Sequence, residues 1–294
     1  MRTLIRRAWT LHEMLISLAV MGLVTGLAAH AAVAQLRFFQ GVGEVTAVRA
    51  QVTEVGTIVA AVLWGVSPAD GEILAATDSA IEVSAPFAAA VVCVGGTGSL
   101  TVAAPVPTGN TLASADNVPE AGDVARLFIA DSNGAGWIHV SMASSPSVGG
   151  PCPGFPAVGR TWQLQLREPI VVPAGAVLRW TRRIRLSLYR ASDARWYLGV
   201  RDWNVASQRL NTIQPVAGPL LSYSVDGSRS GLRFRYAGLD GGELTSPIEF
   251  ARVASISVTA LADAKRPVRM PGLASDSGRY RDSVAVTIAL RNAR

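Results

Sequence analysis

The chain has 294 residues, 49% of them hydrophobic and 16% charged, with 28 Gly and 16 Pro, which excludes disorder, collagen-like repeats and low-complexity arrays. The formal charge is +6, but Arg2, Arg6 and Arg7 supply half of it and the rest is spread from Arg37 to Arg294, so the clustered patch that direct nucleic-acid binding needs is missing. Two cysteines and three histidines (His12, His30, His139) are too few for a disulfide scaffold and match no zinc spacing.

In chain order, the first element is an apolar run from Met14 to Ala34, in which His30 is the only ionisable side chain. As a helix at ~1.5 Å per residue it covers about 32 Å, enough to cross a ~30 Å hydrocarbon core. Arg2, Arg6 and Arg7 precede it, so the positive-inside tendency keeps the start of the chain in the cytoplasm and sends the rest outward. A cleaved secretory signal is the competing reading: Ala32-Val33-Ala34 imitates a cleavage site, although the apolar part of such signals is usually only ~7–15 residues. Glu13 stands at the edge of the run, where a carboxylate is costly unless it has a partner.

The stretch Arg6-Arg7-Ala8-Trp9-Thr10-Leu11-His12-Glu13, followed by the unbroken apolar run, resembles the start of type IV prepilins and pseudopilins. Their short basic leader ends at a small residue, usually Gly, before a Phe-Thr-Leu-x-Glu-like start. Ala8 stands where that family usually has Gly, and Trp9 where it usually has Phe. The resemblance implies a leader of residues 1–8, cleavage between Ala8 and Trp9 by a membrane prepilin peptidase, N-methylation of Trp9, and a role for Glu13 in filament assembly. It also implies a bacterial inner-membrane protein with its N-terminus cytoplasmic and its bulk periplasmic. Its partners would be other minor and major pilins or pseudopilins, and it would carry no cofactor.

Past the membrane segment, Val45, Val48, Val52, Val55, Val59 and Val62 recur every three or four residues, with Glu44, Arg49, Gln51 and Glu54 on other faces. This is the stripe of an amphipathic helix packed on its own domain, so one helix is expected over 9–64, with 14–34 in the membrane. Gly41, Gly43 and Gly56 weaken it locally, and Ser67-Pro68 ends it.

From there the period becomes two. Gly71 to Val94 and Leu100 to Ala103 look strand-like, and Phe128-Ile129-Ala130 and Trp137-Ile138-His139-Val140 flank Asp131-Ser132-Asn133-Gly134 as a hairpin. Leu178, Trp180, Ile184, Leu186 and Leu188 share one strand face broken by Arg182; the other face carries Arg179, Arg183, Arg185 and Tyr189 and reads as a wet sheet face. Leu232 to Tyr236, Ile256-Val258-Ala260 and Val284-Val286-Ile288-Leu290 alternate as half-buried strands. Pro105 to Pro119 and Ser144 to Pro156 read as surface loops. The fold class is therefore α+β, a long N-terminal helix followed by an antiparallel β-rich domain over 65–294. In texture and order the segments Gly231–Tyr236, Ala254–Val258 and Val286–Asn292 resemble the J-type minor pseudopilins of type II secretion and the W-type minor pilins, which favours a minor subunit.

No catalytic constellation is legible. His139 is the only histidine beyond the membrane segment, so a Ser or Cys nucleophile has a single candidate base. Gly227-Ser228-Arg229-Ser230-Gly231 has Arg229 where a nucleophile elbow needs its nucleophile, and Gly95-Gly96-Thr97-Gly98 lacks the Lys-Ser/Thr of a P-loop, so both read as turns. Asp131 and Asn133 lack the later acidic ligands of a calcium loop, and Asp116, Glu120 and Asp123 read as a solvated acidic loop, leaving no metal site. In an oxidising compartment Cys93 and Cys152 can pair and staple a Pro/Gly loop to the sheet; the alternative is two buried thiols. The other functional classes the sequence leaves open are a membrane-anchored or secreted β-rich binding domain or hydrolase, and a DNA-uptake minor pilin.

Overall fold

The computed structural model describes residues 10–103, 106–107, 119–121, 123–131, 134–153, 161–226, 229–245, 248–268 and 278–291. A single helix, α1, runs over Leu11–Leu63, 53 residues, and β strands follow, an α+β arrangement. The chain divides into two compact units, one of Met1–Arg49 with Asp263–Arg281 and one of Ala50–Ala262 with Asp282–Arg294.

In the larger unit α1 keeps the expected valine stripe against its domain. Val52, Val55, Val59, Val62 and Leu63 are buried, each such side chain contributing about 1.5–3 kcal/mol relative to exposure. Gly56, a weak point by propensity, has a packing reason: a Cβ there would lie 3.0 Å from Val286 Cγ2. The helix exit at Gly65 is tighter still, since any Cβ would run into the Pro86 ring.

The strands are β1 (Ile73–Ala76), β2 (Ala80–Val94), β3 (Gly96–Thr97), β4 (Ser99–Ala103), β5 (Val106–Pro107), β6 (Val124–Asp131), β7 (Gly134–Ser141), β8 (Ser147–Val148) and β9 (Thr161–Gln165). After them come β10 (Val171–Val172), β11 (Val177–Arg190), β12 (Trp196–Asn204), β13 (Arg209–Leu210), β14 (Gln214–Leu220), β15 (Leu232–Ala237), β16 (Ser255–Pro267) and β17 (Arg279–Ala289). A twelve-stranded sheet follows the order β13-β12-β11-β2-β4-β9-β8, with β1 and β5 also on β2, β14 on β12, and the β6–β7 hairpin on β11. A separate sheet has the order β15-β16-β17.

The segment Gly71 to Val94 is two strands, because Thr77 forms a tight turn: its hydroxyl accepts from Ala80 N–H at 3.0 Å and its own N–H donates to Ala80 O at 2.8 Å. β2 is buried on both faces over much of its length, which is why it shows no clean alternation. The β6–β7 hairpin closes with Asp131 opposite Gly134, though Ser132 and Asn133 lie outside the described residues. Of the two expected loops, the described part of 105–119 includes β5, and Ser144 to Pro156 contains β8, paired to β9. β15 and β16 alternate buried and less buried positions as their sequences imply.

In the smaller unit, Glu44 of α1 accepts the main-chain N–H of Lys265 at 3.0 Å and of Arg266 at 3.4 Å. Arg49 Nε donates to the Tyr280 hydroxyl at 3.3 Å, while Val48, Ala264, Val268 and Tyr280 are buried.

Candidate assembly surface and the charged lattice of the sheet

The first turns of α1 are locked at their start by a local device. Thr10 N–H and Oγ1–H donate to Glu13 Oε2 at 3.0 and 3.1 Å, and Glu13 N–H donates back to Thr10 Oγ1 at 3.3 Å. This is a reciprocal capping box, which satisfies N–H groups that have no partner within the helix. The Thr-x-x-Glu spacing carried that signal in the sequence, and it gives Glu13 a structural task beside any task in assembly. Ala8 and Trp9 lie outside the described residues.

Beyond the cap, Leu15, Leu18, Met21, Leu23, Val24 and Leu27 are all more than half exposed. The helix is long and apolar enough to cross a membrane. Its two hydroxyls in this stretch bond back to the preceding turn, Ser17 to Glu13 O and Thr25 to Met21 O, both at 2.7 Å, so neither presents an unpaired donor to an apolar surrounding.

In the larger unit the arginine face of β11 departs from the expected wet face at Arg179, whose side chain is 19% exposed, whereas Arg183 and Arg185 keep about 40% of theirs open to solvent. Arg179 Nη2 donates to Glu72 Oε1 at 2.6 Å and to Gly65 O at 3.0 Å. Arg126, opposite Arg179 on β6, reaches Asp70 at 3.0 Å and Glu72 at 3.5 Å. Glu72 is fully buried and also accepts Ser67 N–H at 2.5 Å. Burial pushes its carboxyl above the usual carboxylate range, more than Arg179 and Arg126 pull it down. Further along, Glu82 is held by Arg183 Nε and by Arg185 at 3.5 Å. The chain after α1, from Gly65 to Glu72, thus covers and neutralises the Arg179 end of this face, while Glu82 on β2 pairs with Arg183 and Arg185 at its more open end.

Asp123 is a second correction, because it is buried and not part of a solvated acidic loop. It takes Arg182 Nη2 at 2.7 Å and Nε at 3.3 Å, and accepts Glu120 N–H at 2.8 Å. Glu120 is exposed, and Asp116 lies outside the described residues. Arg182 interrupts the apolar row of β11 because its guanidinium lies over the Phe87 ring, 4.9 Å from the centroid, at the point where β2 bulges.

His139 sits opposite Arg126 on β7. Burial, then the Arg126 charge, hold its imidazole below the usual value of 6.5, with Asp70 pulling the other way. No carboxylate, serine or thiol is placed against it as a nucleophile–base pair among the hydrogen bonds of the described residues. Gly95 to Gly98 form β3 and its turn, with Gly98 at φ +74 in the left-handed region, as the turn reading requires. Cys93 and Cys152 form a disulfide with Cα atoms 5.3 Å apart. Closing a loop across a separation of 59 residues contributes about 4 kcal/mol in the chain-entropy account.

No protein-family model matches the chain, and no curated protein matches it.

Proposed function

We propose that the protein is a minor pilin or pseudopilin, a structural subunit of a type II secretion pseudopilus or type IV pilus with no chemistry of its own. A prepilin peptidase removes residues 1–8 and N-methylates Trp9. The apolar half of α1 stores the subunit in the bacterial inner membrane, N-terminus cytoplasmic and bulk periplasmic, and then packs with the helices of other subunits. The observation that carries this reading is the continuity of α1: 53 residues at ~1.5 Å each make about 80 Å of helix, whereas an anchor or signal needs only about 20 residues. The apolar residues from Leu11 to Phe39 are exposed, while Val52, Val55, Val59, Val62 and Leu63 are buried within the larger unit, which suits a subunit that exchanges lipid for neighbouring helices.

The test is the mass of the mature N-terminus after co-expression with a prepilin peptidase. Loss of residues 1–8 with gain of one methyl group is the expected result. Cleavage near Ala34, or an intact N-terminus, overturns the reading in favour of a secreted or simply anchored domain.

A further inference from the structure

The twelve-stranded sheet forks at β11. One edge of β11 pairs with β6 up to Thr181, opposite Val124, and with β12 from Ile184, opposite Asp202. Between these points the two ladders do not meet, and Arg183 stands at the fork. The gap opens a cleft of about 410 Å³, lined among others by Asp70, Leu74, Arg126, His139, Arg183 and Trp203, at the small end of ligand pockets.

Arg183 is built for recognition in this cleft. Its Nε is bound to the buried Glu82, and its guanidinium lies over the Trp203 ring, 4.5 Å from the centroid. Both constraints fix the plane of the fork, while its two Nη nitrogens have no partner among the described residues and the side chain is 40% exposed. Thr181 and Ser84 also line the cleft. Ser84 is the cross-strand partner of Arg183, so the two share a sheet face, and neither hydroxyl has a hydrogen-bond partner among the described residues. A planar two-donor fork flanked by free hydroxyls matches a carboxylate.

Around the cleft Arg126 is held by Asp70 and Glu72, and Arg182 by Asp123 at 2.7 Å with Glu120 at 3.9 Å, whereas Arg183 meets a carboxylate only through its Nε among the described residues.

We propose that this cleft receives the carboxylate of an acidic side chain from a partner polypeptide, with Arg183 as the anchoring residue. The site lies wholly within the domain after the helix and stands whether or not the filament reading holds. Its aromatic and aliphatic wall, Trp203, Leu74 and Val205, suits the stem of a glutamate more than a bare ion.

The experiment uses the full chain in detergent micelles and a dye-labelled ten-residue peptide of alternating Val and Glu, read by fluorescence anisotropy. The peptide should bind saturably, and its Val–Gln counterpart at least tenfold more weakly. Arg183→Gln should weaken binding at least tenfold, and Arg183→Lys should weaken it severalfold, since the ammonium keeps a charge toward Glu82 but loses the fork. Thermal unfolding of each variant establishes that it is folded; if Arg183→Gln is not, Arg183→Lys and Ser84→Ala carry the test. Equal binding of the Glu and Gln peptides, or parent-like binding by Arg183→Lys, overturns the proposal. So does complete displacement of the peptide by an equal concentration of inorganic phosphate, which assigns the cleft to free oxyanions.

Discussion

Glu13 is bonded to Thr10 three ways in the structure, and any test of its role in assembly has to separate the cap from the charge. Thr10→Ala breaks the box and leaves the carboxylate; Glu13→Ala removes both. If Glu13 acts on a neighbouring subunit, Glu13→Ala should lower recovery of the minor-subunit complex in a pull-down while Thr10→Ala leaves it near the parent level. Equal loss in the two variants would assign the effect to helix capping. His139 supports a pH prediction. Its value is lowered in the folded state, so the stability it contributes is fully present above the unfolded value near 6.5 and is lost as pH falls through that value toward the lower folded one. Denaturant midpoints of His139→Gln should therefore fall less between pH 7 and pH 5 than those of the parent, and parallel curves would remove the histidine from the pH response. At this scale a local partnership such as Thr10 with Glu13 leaves a readable spacing, although the family resemblance marks Glu13 only as an assembly residue. No such spacing exists for Arg179 and Glu72, whose partnership spans 107 positions and leaves no trace in a strand's alternation.

The two halves of α1 make opposite demands on their apolar residues. Leu63 is fully buried and Leu18 is 64% exposed. Leu63→Ala should lower the unfolding free energy of the domain by about 2–5 kcal/mol, through lost burial and the cavity left behind. Leu18→Ala should leave that unfolding unchanged and, on the filament reading, reduce assembly. Chemical denaturation beside a pull-down checks both outcomes, and a domain effect from Leu18→Ala would count against the division of labour. The valine stripe and β15 to β17 were readable because each has one covered face, which imposes a period of 3.6 or 2. β2 was blurred because both of its faces are covered. Arg179 on β11 misled for a related reason: charge predicts water only where no other segment lies over it, and Gly65 and Glu72 reach this side chain while Arg183 and Arg185 stay about 40% exposed.

The whole molecule can be cut at the end of its apolar stretch. A chain beginning at Gln35 keeps the valine stripe, the sheets and the Cys93–Cys152 bridge, and should be soluble without detergent and unfold in one cooperative transition followed by circular dichroism. Gradual, non-cooperative loss of signal would place part of the folding information upstream of Gln35. The α+β arrangement was readable as a whole because the change of period after Ser67-Pro68 separates helix from strands, while the fork in the sheet depends on which strands share an edge and has no counterpart in one dimension. The bridge also bears on how the protein is made. A thiol pair oxidises where the surroundings are oxidising and stays reduced in a bacterial cytoplasm, so Cys93 and Cys152 keep a chemical record of the side of the membrane their domain has reached. Alkylating whole cells with a maleimide before and after reduction reads that record on a gel, molecule by molecule, and makes the chain its own reporter of orientation.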